Sequence, residues 1–527
     1  MNLWENGAAL LAGGRFHEAL ATYGQALKNH PASMEARLGL ARACLGSGDA
    51  WTAVAWLGDA ARVAPANPTP LHELANLLLN QQQYAQAWPV YQQLYTRFGV
   101  RDRATLLHYG FCLEQTGALD DAVRLYREAI EREPGFMEAH VDLAGVLWRV
   151  EDHAGALAHA QRAEALAPGH PYAVRIVGTS LLHLNRLDEA EQQLRRALQL
   201  QPGFNLAQVD LALTLLLAGK LEEGWALYHQ RWNDAARMPR PAFFQPALEW
   251  KGPARQPVHG RRVLVYAEQG LGDVLHFIRY VPQLQADGAT VFAVVQPELA
   301  PLLGSMPGLE CYRPGTELVA DLHVALLDLP MHYRTTLASV PARVPYLRAD
   351  PQRVAQWRER LRPWDGQRKV GLCWAGSPAQ VNNRNRSMPL STFAPLLDVP
   401  DVQCFSLQKG DGGHYTDASP PPDRLPDFTA DWQDFSDSAA MVECLDLVIT
   451  VDTSVAHLAG ALGKPVWLLL GPNPDWRWLL ARDDSPWYPT MRLFRRDFGE
   501  SRAQQVGRVV QALRQPAQGL TSASRGK

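Results

Sequence analysis

The segment Val451–Pro465 reads VDTSVAHLAGALGKP and lies between two short apolar runs, residues 445–449 and 466–470. Apolar runs of this length on either side of a helix-like segment predict a strand, a helix and a second strand. The Asp-Thr-Ser stands at the first turn, where a polar side chain caps the helix and unpaired backbone N–H groups attract anions, above all phosphates. His457 comes one turn later and can reach the same point. A capped helix needs no ligand, so a structural role alone also fits this segment.

The same alternation of short apolar runs and helical stretches extends from Arg261 over the whole second half of the chain. It predicts parallel sheets that carry helices on both faces. The pattern restarts near residue 365, which predicts two lobes. The predicted strands are residues 263–266, 290–295, 322–327, 370–374, 402–407, 445–449 and 466–470.

The first 235 residues obey a different rule, a repeat of 34 residues. Five steps of 34 and one of 35 separate the small residues Ala19, Ala53, Ala87, Ala122, Ala156, Ala190 and Gly224. A small residue at this position lets paired helices approach, and a proline near the end of most units stops the second helix. The period and these positions resemble the tetratricopeptide repeat, whose stacked units form a right-handed solenoid with a concave groove.

We therefore expect a multidomain chain. An all-α solenoid of about seven repeats occupies residues 1–235, and residues 236–260 form a connector with five prolines that packs on the folded chain and is not a free linker. Two α/β lobes occupy residues 261–362 and 363–515, and the second lobe ends in a helix. Residues 516–527 form a disordered tail.

Composition narrows the classes of function. A chain of 527 residues that is 47% hydrophobic can bury several cores, and a net charge of -3 favours neither nucleic acid nor an acidic membrane as the main partner. The six cysteines are scattered without a CxxC pair or metal-ligand spacing, which is typical of a reducing compartment. The N-terminus lacks the basic and apolar regions of a secretion signal, and no apolar run approaches the roughly 18 residues of a membrane span. We expect a cytoplasmic protein with no transmembrane segment and no nucleic-acid partner.

A glycine-rich turn, Gly270-Leu271-Gly272-Asp273, comes after the first predicted strand of the second half and leads into a helix. Ligands of parallel sheets bind at the carboxyl ends of the strands. Glycines allow a ligand to approach the backbone closely, and the carboxylate of Asp273 is expected to project into the crevice between the lobes. The turn lacks the third glycine of a dinucleotide fingerprint. A simple helix cap is the structural alternative for Asp273.

Two more polar segments come directly after predicted strands in the second lobe. Gly376 and Ser377 come after one strand, with Arg386 in a polar stretch shortly behind them, and Lys409-Gly410-Asp411 comes after the next strand. An arginine in this place can clamp phosphate oxygens, although a solvated surface loop has the same composition. Loops from two facing sheets form a cleft that suits a bridging ligand.

The second half resembles the GT-B glycosyltransferases of the ADP-heptose:lipopolysaccharide heptosyltransferase family in three segments: GLGDVLH from Gly270, RSMPL from Arg386 and DTSVAHLAGALGKP from Asp452. The resemblance covers roughly residues 261–515 and implies an α/β GT-B module of two Rossmann-like lobes. Repeats in front of such a module resemble bacterial tetratricopeptide-repeat glycosyltransferases, some of which modify proteins such as flagellin. Ser454 stands where the family usually has glycine, and Arg386 where it usually has lysine.

The resemblance implies an inverting transfer of a sugar from a nucleotide-sugar substrate, with neither a metal ion nor another cofactor. It implies that Asp273 is the general base and that Arg386 neutralises the charge of the leaving group. The implied donor- and phosphate-binding residues are Gly270, Gly272, Gly376, Ser377, Lys409, Asp452, Thr453, Ser454, Val455 and His457. The solenoid implies a protein or peptide partner in its groove, which is then the acceptor.

Two other functions fit the sequence less well. A scaffold with a catalytically silent GT-B module would be expected to lose some site residues, whereas Asp273, Arg386, Asp452 and His457 are all present. A sugar-phosphate epimerase on the same fold needs an additional acid/base pair, which we do not identify. A set of aromatic residues either lines the donor site or packs the lobes together: Trp476, Trp478, Trp487 and Tyr488.

Overall fold

The computed structural model describes residues 2–316, 318–378, 380–410 and 412–515. The chain forms two compact units, Met1–Ser180 and Leu181–Lys527. Two sequence-based expectations lie outside the described residues, namely the disordered tail (residues 516–527) and Asp411.

The first unit is helical: α1 (Leu3–Ala12), α2 (Phe16–Asn29), α3 (Met34–Gly46), α4 (Ala50–Val63), α5 (Thr69–Asn80), α6 (Tyr84–Arg97), α7 (Arg103–Gln115), α8 (Leu119–Arg132), α9 (Met137–Leu147) and α10 (His153–Leu166). Consecutive helices pack on one another. The recurring alanines are buried, and Tyr23 lies against Gly7 and Gly39, where a Cβ would collide with its ring. Small residues therefore set the distance between the helices, and the predicted all-α solenoid of repeats is confirmed. Helix α11 (Pro171–His183) comes next.

The second unit begins with the last helices of the repeat array: α12 (Leu187–Leu200), α13 (Asn205–Leu217) and α14 (Leu221–Tyr228). The chain then runs through residues 236–260, in which Trp250 is 0% exposed. The N–H of Trp250 donates to the carbonyl oxygen of His323 at 2.9 Å. The proline-rich segment thus packs on the α/β module behind it, and the repeat array ends inside the second compact unit.

The first sheet consists of four parallel strands, β1 (Arg262–Tyr266), β2 (Thr290–Val294), β3 (Leu309–Tyr312) and β4 (Leu322–Ala325), in the order β3-β2-β1-β4. The helices of this region are α15 (Leu271–Phe277), α16 (Val281–Ala286), α17 (Ala300–Leu303) and α18 (Leu329–His332). Strand β1 lies between β2 and β4, so the glycine-rich turn at its carboxyl end starts from the middle of the sheet.

The second sheet consists of five parallel strands, β5 (Arg368–Cys373), β6 (Val402–Ser406), β7 (Leu447–Val451), β8 (Val466–Leu470) and β9 (Met491–Arg495), in the order β6-β5-β7-β8-β9. Its helices are α19 (Pro351–Leu361), α20 (Asn383–Arg386), α21 (Leu390–Phe393), α22 (Phe435–Glu443), α23 (Ser454–Ala461) and α24 (Arg502–Arg514). A core of buried apolar residues, among them Leu372, Ile449 and Leu469, fills the space between this sheet and its helices.

The predicted α/β class of the second half is confirmed by these two parallel sheets. Strands β3 and β9 escape prediction because Glu310 and Arg492 interrupt their apolar patterns. The strand predicted at residues 445–449 begins two residues later, because Leu445 still belongs to the turn that ends α22. None of the helices in the described ranges combines the length and the apolar character that a membrane span requires.

Candidate active site

The turn between β7 and α23 forms the first part of the candidate site. Thr453 precedes the helix with an extended backbone (φ −141°, ψ 173°), and its side chain makes no capping bond. The sequence predicts a side-chain cap here, but the Thr453 hydroxyl lies instead 3.2 Å from that of Thr450. The backbone N–H groups of Ser454 and Val455 precede the first intrahelical bond, so they are donors for an anion at the start of the helix.

Asp452 lies at the carboxyl end of β7 and is held from two sides. Nε1 of Trp478 donates to its Oδ2 at 3.0 Å, and Nη1 of Arg386 donates to its backbone carbonyl at 2.9 Å. Burial raises the pKa of Asp452 to about 6, and the negative charge of Asp475 adds to the rise. Asp452 thus connects the start of α23 with Arg386 and with the aromatic segment around Trp478.

Arg386 ends the short helix α20 and lies over Gly376. A Cβ at position 376 would collide with the guanidinium group, so glycine is required for this approach. Nε of Arg386 reaches Oδ1 of Asn383 at 3.4 Å. The structure therefore brings together Gly376, Arg386 and Asp452, which come from three separate parts of the second sheet's loops.

Asp273 lies in the first turn of α15, after the glycine-rich turn. Its Oδ2 accepts from the backbone N–H of Gly270 at 3.0 Å, and its Oδ1 accepts from Nη2 of Arg477 at 2.5 Å. The side chain of Asp273 is 21% exposed and that of Arg477 is 8% exposed. Asp273 is thus both a helix cap and the partner of an arginine from the second sheet, while part of its carboxylate remains open.

The ionisation of Asp273 is set by opposing influences. Burial raises its pKa, the positive charge of Arg477 lowers it, and the negative charge of Asp475 raises it again. The net direction is upward, which brings this carboxyl group closer to the range in which a general base works near neutral pH.

Helix α15 packs directly on α23, and Gly272 is the point of closest approach. A Cβ at position 272 would lie 3.0 Å from Cδ2 of His457 and 3.6 Å from Cα of Ser454. Nδ1 of His457 bonds the hydroxyl of Tyr488 at 2.9 Å, and burial holds the pKa of His457 well below its usual range. Gly272 therefore permits the packing that places the Asp273 helix beside the start of α23.

Two predicted donor-site residues lie apart from this group. Ser377 is exposed on the loop after β5. Nζ of Lys409 donates to the carbonyl oxygen of Trp432 at 2.5 Å, which engages the lysine with the segment that precedes α22.

Gln408 was not predicted from the sequence, and it is 7% exposed. Its Oε1 accepts from the backbone N–H groups of Ala375 at 2.9 Å and of Trp374 at 3.3 Å, so one side chain shapes the loop after β5. An amide residue directly after a buried strand is the only signal of this role. Arg477 was not predicted either, because it stands between two tryptophans in an aromatic segment without period.

The aromatic residues around Arg477 pack between the two sheets' helices. Trp478 and Tyr488 are 0% exposed, Trp487 is 1% exposed and Trp476 is 5% exposed. The ring of Trp478 stacks on that of His457, with 5.5 Å between the centroids. Of the two alternatives for these residues, the described contacts favour packing.

Two family models match the chain. The tetratricopeptide repeat model matches residues 5–68, 72–135, 113–171 and 177–235, and the model of glycosyltransferase family 9 (heptosyltransferase) matches residues 433–509. Protein FlbA from Caulobacter vibrioides is 29% identical over 435 residues, with 76% of this chain and 71% of that protein covered. The chain thus consists of tetratricopeptide repeats with a C-terminal glycosyltransferase family 9 match, and the resemblance expected from the sequence is confirmed.

Solved structures of repeat proteins are also similar to part of the chain. YrrB, described as a TPR protein with an unusual peptide-binding site, is 18% identical and covers 35% of this chain and 95% of its own, with a TM-score of 0.31. The C-terminal part of a TPR repeat-containing protein from Cytophaga hutchinsonii is 11% identical and covers 45% of this chain and 96% of its own, with a TM-score of 0.36.

Proposed function

We propose that this protein is an inverting, metal-independent glycosyltransferase that moves a sugar from a nucleotide-sugar to a hydroxyl of a protein recruited by the repeats. The family 9 match supports sugar transfer as the class of reaction. The observation that carries the finer proposal is the packing of α15 on α23 through Gly272, since it places the carboxylate of Asp273 beside the anion-binding start of α23.

In the proposed reaction Asp273 takes the proton of the acceptor hydroxyl. The hydroxyl oxygen forms its bond to the anomeric carbon while the bond from that carbon to the phosphate oxygen breaks, so the electron pair leaves with the nucleoside phosphate. Attack from the face opposite the leaving group inverts the anomeric configuration. The raised pKa of Asp273 supports this role, because proton transfer is most effective when the pKa of the base is near the working pH.

The leaving phosphate needs stabilisation as its negative charge grows. The backbone N–H groups of Ser454 and Val455 supply fixed dipoles, and the guanidinium of Arg386 supplies a positive charge next to the carbonyl of Asp452. Fixed donors of this kind stabilise developing charge without reorganisation. In this proposal they take the part that a metal ion has in other transferases.

A polypeptide acceptor is proposed because of the repeats, since stacked helical repeats present an extended groove to peptides or proteins. The six cysteines, all of which are described, form no disulfide. This supports a reducing compartment, the cytoplasm, as the place of the proposed reaction.

A two-part experiment tests the proposal on the full chain. Thermal melting with a panel of nucleotide-sugars identifies a donor, because a ligand of the folded state raises the melting temperature. Release of the nucleoside phosphate from that donor is then measured for the wild type and for Asp273→Asn, with Asp365→Asn as a control on the exposed surface. We expect stabilisation of all three proteins and release by only the wild type and the control. A donor that stabilises the wild type without any turnover or transfer would support the alternative, a repeat scaffold with a silent GT-B module.

A further inference from the structure

Arg477 connects the two parallel sheets at the candidate base. It lies in a 3₁₀ turn, Trp476–Trp478, in the segment after β8. Its Nη2 donates to Oδ1 of Asp273 at 2.5 Å and its Nη1 donates to Oδ1 of Asp475 at 2.9 Å. With a side-chain exposure of 8%, this guanidinium is almost fully removed from water, where an ion pair is far stronger than on the surface.

The turn that carries Arg477 is anchored independently of Asp273. The backbone N–H of Arg477 donates to Oδ1 of Asp475 at 3.0 Å, which caps the turn. The ring of Trp476 meets that of Trp225 edge to face, with 4.9 Å between the centroids. Earlier in the same segment, the carbonyl oxygen of Pro472 accepts from Nδ2 of Asn185 at 2.7 Å. The position of the guanidinium is therefore fixed by the last repeats and is not set by the carboxylate alone.

The charged and titratable groups that face Asp273 come from four elements. Arg477 and Asp475 belong to the 3₁₀ turn, Glu268 to the loop after β1, Tyr228 to α14, and His457 to α23 next to Gly272. Glu268 is itself paired with Arg231 at 2.5 Å. The burial of His457 keeps its pKa low and its ring uncharged, so Arg477 is the cation that acts directly on Asp273.

We propose that Arg477 is a positioning residue for sugar transfer, which holds the Asp273 carboxylate by Oδ1 and keeps it ionised within the closed cleft. The proposal rests on the proposed role of Asp273 as general base. Each carboxylate oxygen has two lone pairs, so one bond from Arg477 and one from the Gly270 N–H leave room for the acceptor hydroxyl. The proton of that hydroxyl then moves to the carboxylate as the oxygen bonds the anomeric carbon.

Two substitutions with opposite effects on charge test this role. Arg477→Gln removes the cation, and we expect the acidic limb of the transfer rate against pH to shift upward by about 1–3 pH units. Asp475→Asn removes the neighbouring anion, and we expect the same limb to shift downward. Arg477→Lys keeps the charge and is expected to restore most of the wild-type profile, and Arg482→Gln, which loses an exposed pair with Asp484, is expected to leave it unchanged. A purely structural role predicts loss of rate without shifts of opposite sign.

A stability experiment separates this proposal from the function itself. The melting temperatures of the wild type, Asp273→Asn, Arg477→Gln and the double variant form a cycle that reports the coupling of the two side chains whether or not any sugar is transferred. We expect a clear coupling at pH 7.5 that fades at acidic pH, where the carboxylate is protonated. Coupling without turnover in the wild type would overturn the proposed function and leave the ion pair standing. No coupling, or two limbs that shift in the same direction, would overturn the role of Arg477.

Discussion

Arg231, just after the last repeat helix, donates through Nη2 to Oε1 of Glu268 at 2.5 Å, and the two side chains are 4% and 3% exposed. Its Nη1 donates to Oδ1 of Asp328 at 2.8 Å. Glu268 stands two residues before Gly270, in the loop that leads to Asp273. Removing one partner of such a buried pair leaves an uncompensated charge and destabilises a protein by about 3–5 kcal/mol. The end of the repeat array is therefore part of the interior of the second compact unit.

Two truncations test this relationship. A chain that begins at residue 181 keeps the second unit whole, and we expect it to melt cooperatively and to retain nucleotide-sugar binding. A chain that begins at residue 236 loses Trp225, Tyr228 and Arg231, and we expect it to be insoluble or to melt without cooperativity. Circular dichroism against temperature measures both. Equal melting temperatures for the two chains would contradict the structural role of the last repeat.

Arg386→Ala is expected to weaken binding of the nucleotide-sugar about tenfold or more, since a charged hydrogen bond to a phosphate contributes about 1.5–3 kcal/mol. Arg384→Ala, an exposed arginine in the same short helix, is the matched control and is expected to bind normally. Calorimetric titration at fixed salt measures both. The same loss of affinity in both variants would point to the general charge of the loop.

Ser454→Pro tests the backbone donors at the start of α23. Proline fits the first position of a helix, where its missing N–H would have no intrahelical partner. The extended backbone of Thr453 (φ −141°, ψ 173°) is close to the conformation that a proline requires of the residue before it. We expect near-normal melting and about tenfold weaker donor binding. Ser454→Ala keeps the N–H and is expected to bind like the wild type, so parallel losses in the two variants would assign the effect to the hydroxyl.

Gly272→Ala is expected to destabilise the second unit by about 1–3 kcal/mol, because its Cβ would lie 3.0 Å from Cδ2 of His457. Gly507→Ala is the control: it lies in α24 with nothing within 4 Å of the added Cβ. There we expect stabilisation by up to about 1 kcal/mol, since alanine is the better helix former. Thermal melting of both variants decides, and two changes of the same sign would argue against tight packing at position 272.

Asp452→Asn tests a pH dependence. The pKa of Asp452 is about 6 in the folded chain, against roughly 3.9 when unfolded. The folded state binds more protons between these values, so this group makes stability fall as pH rises from about 4 to about 6. Asparagine removes the effect while it can still accept from Trp478. Relative to the wild type, the variant is expected to gain on the order of 2 kcal/mol between pH 4 and pH 7. A constant difference in melting temperature across that range would contradict the raised pKa.

The parts of the fold that obey local rules could be predicted. The small residue every 34 positions determines the register of the repeats, and Ala19 to Ala190 are buried as that rule requires. Apolar runs mark most strands of both sheets. Asp273 and Ser454 were expected to face a cleft because each comes after a strand of a parallel sheet, and the carboxyl ends of such strands share one edge.

Contacts between distant loops could not be predicted in this way. Asp273 and Arg477 are 204 residues apart, and nothing in the DWRW segment marks its arginine as the partner of a carboxylate. Trp225 resembles any other aromatic residue of a repeat, although it packs on Trp476 in the second unit. Such pairs depend on how two sheets and a helix pair meet, which no period along the chain records.

The bond from Asn185 to Pro472, near the division between the two compact units, also bears on how such proteins diversify. Duplication or loss of whole repeats upstream of residue 181 would alter the array that selects a partner while every described contact of the Asp273 and Arg477 loops is inherited intact. The same event between residues 181 and 235 would remove side chains that these loops require. Array length is thus free to vary among relatives at one end only, and recombination breakpoints in related genes are expected to fall before the last helices of the array.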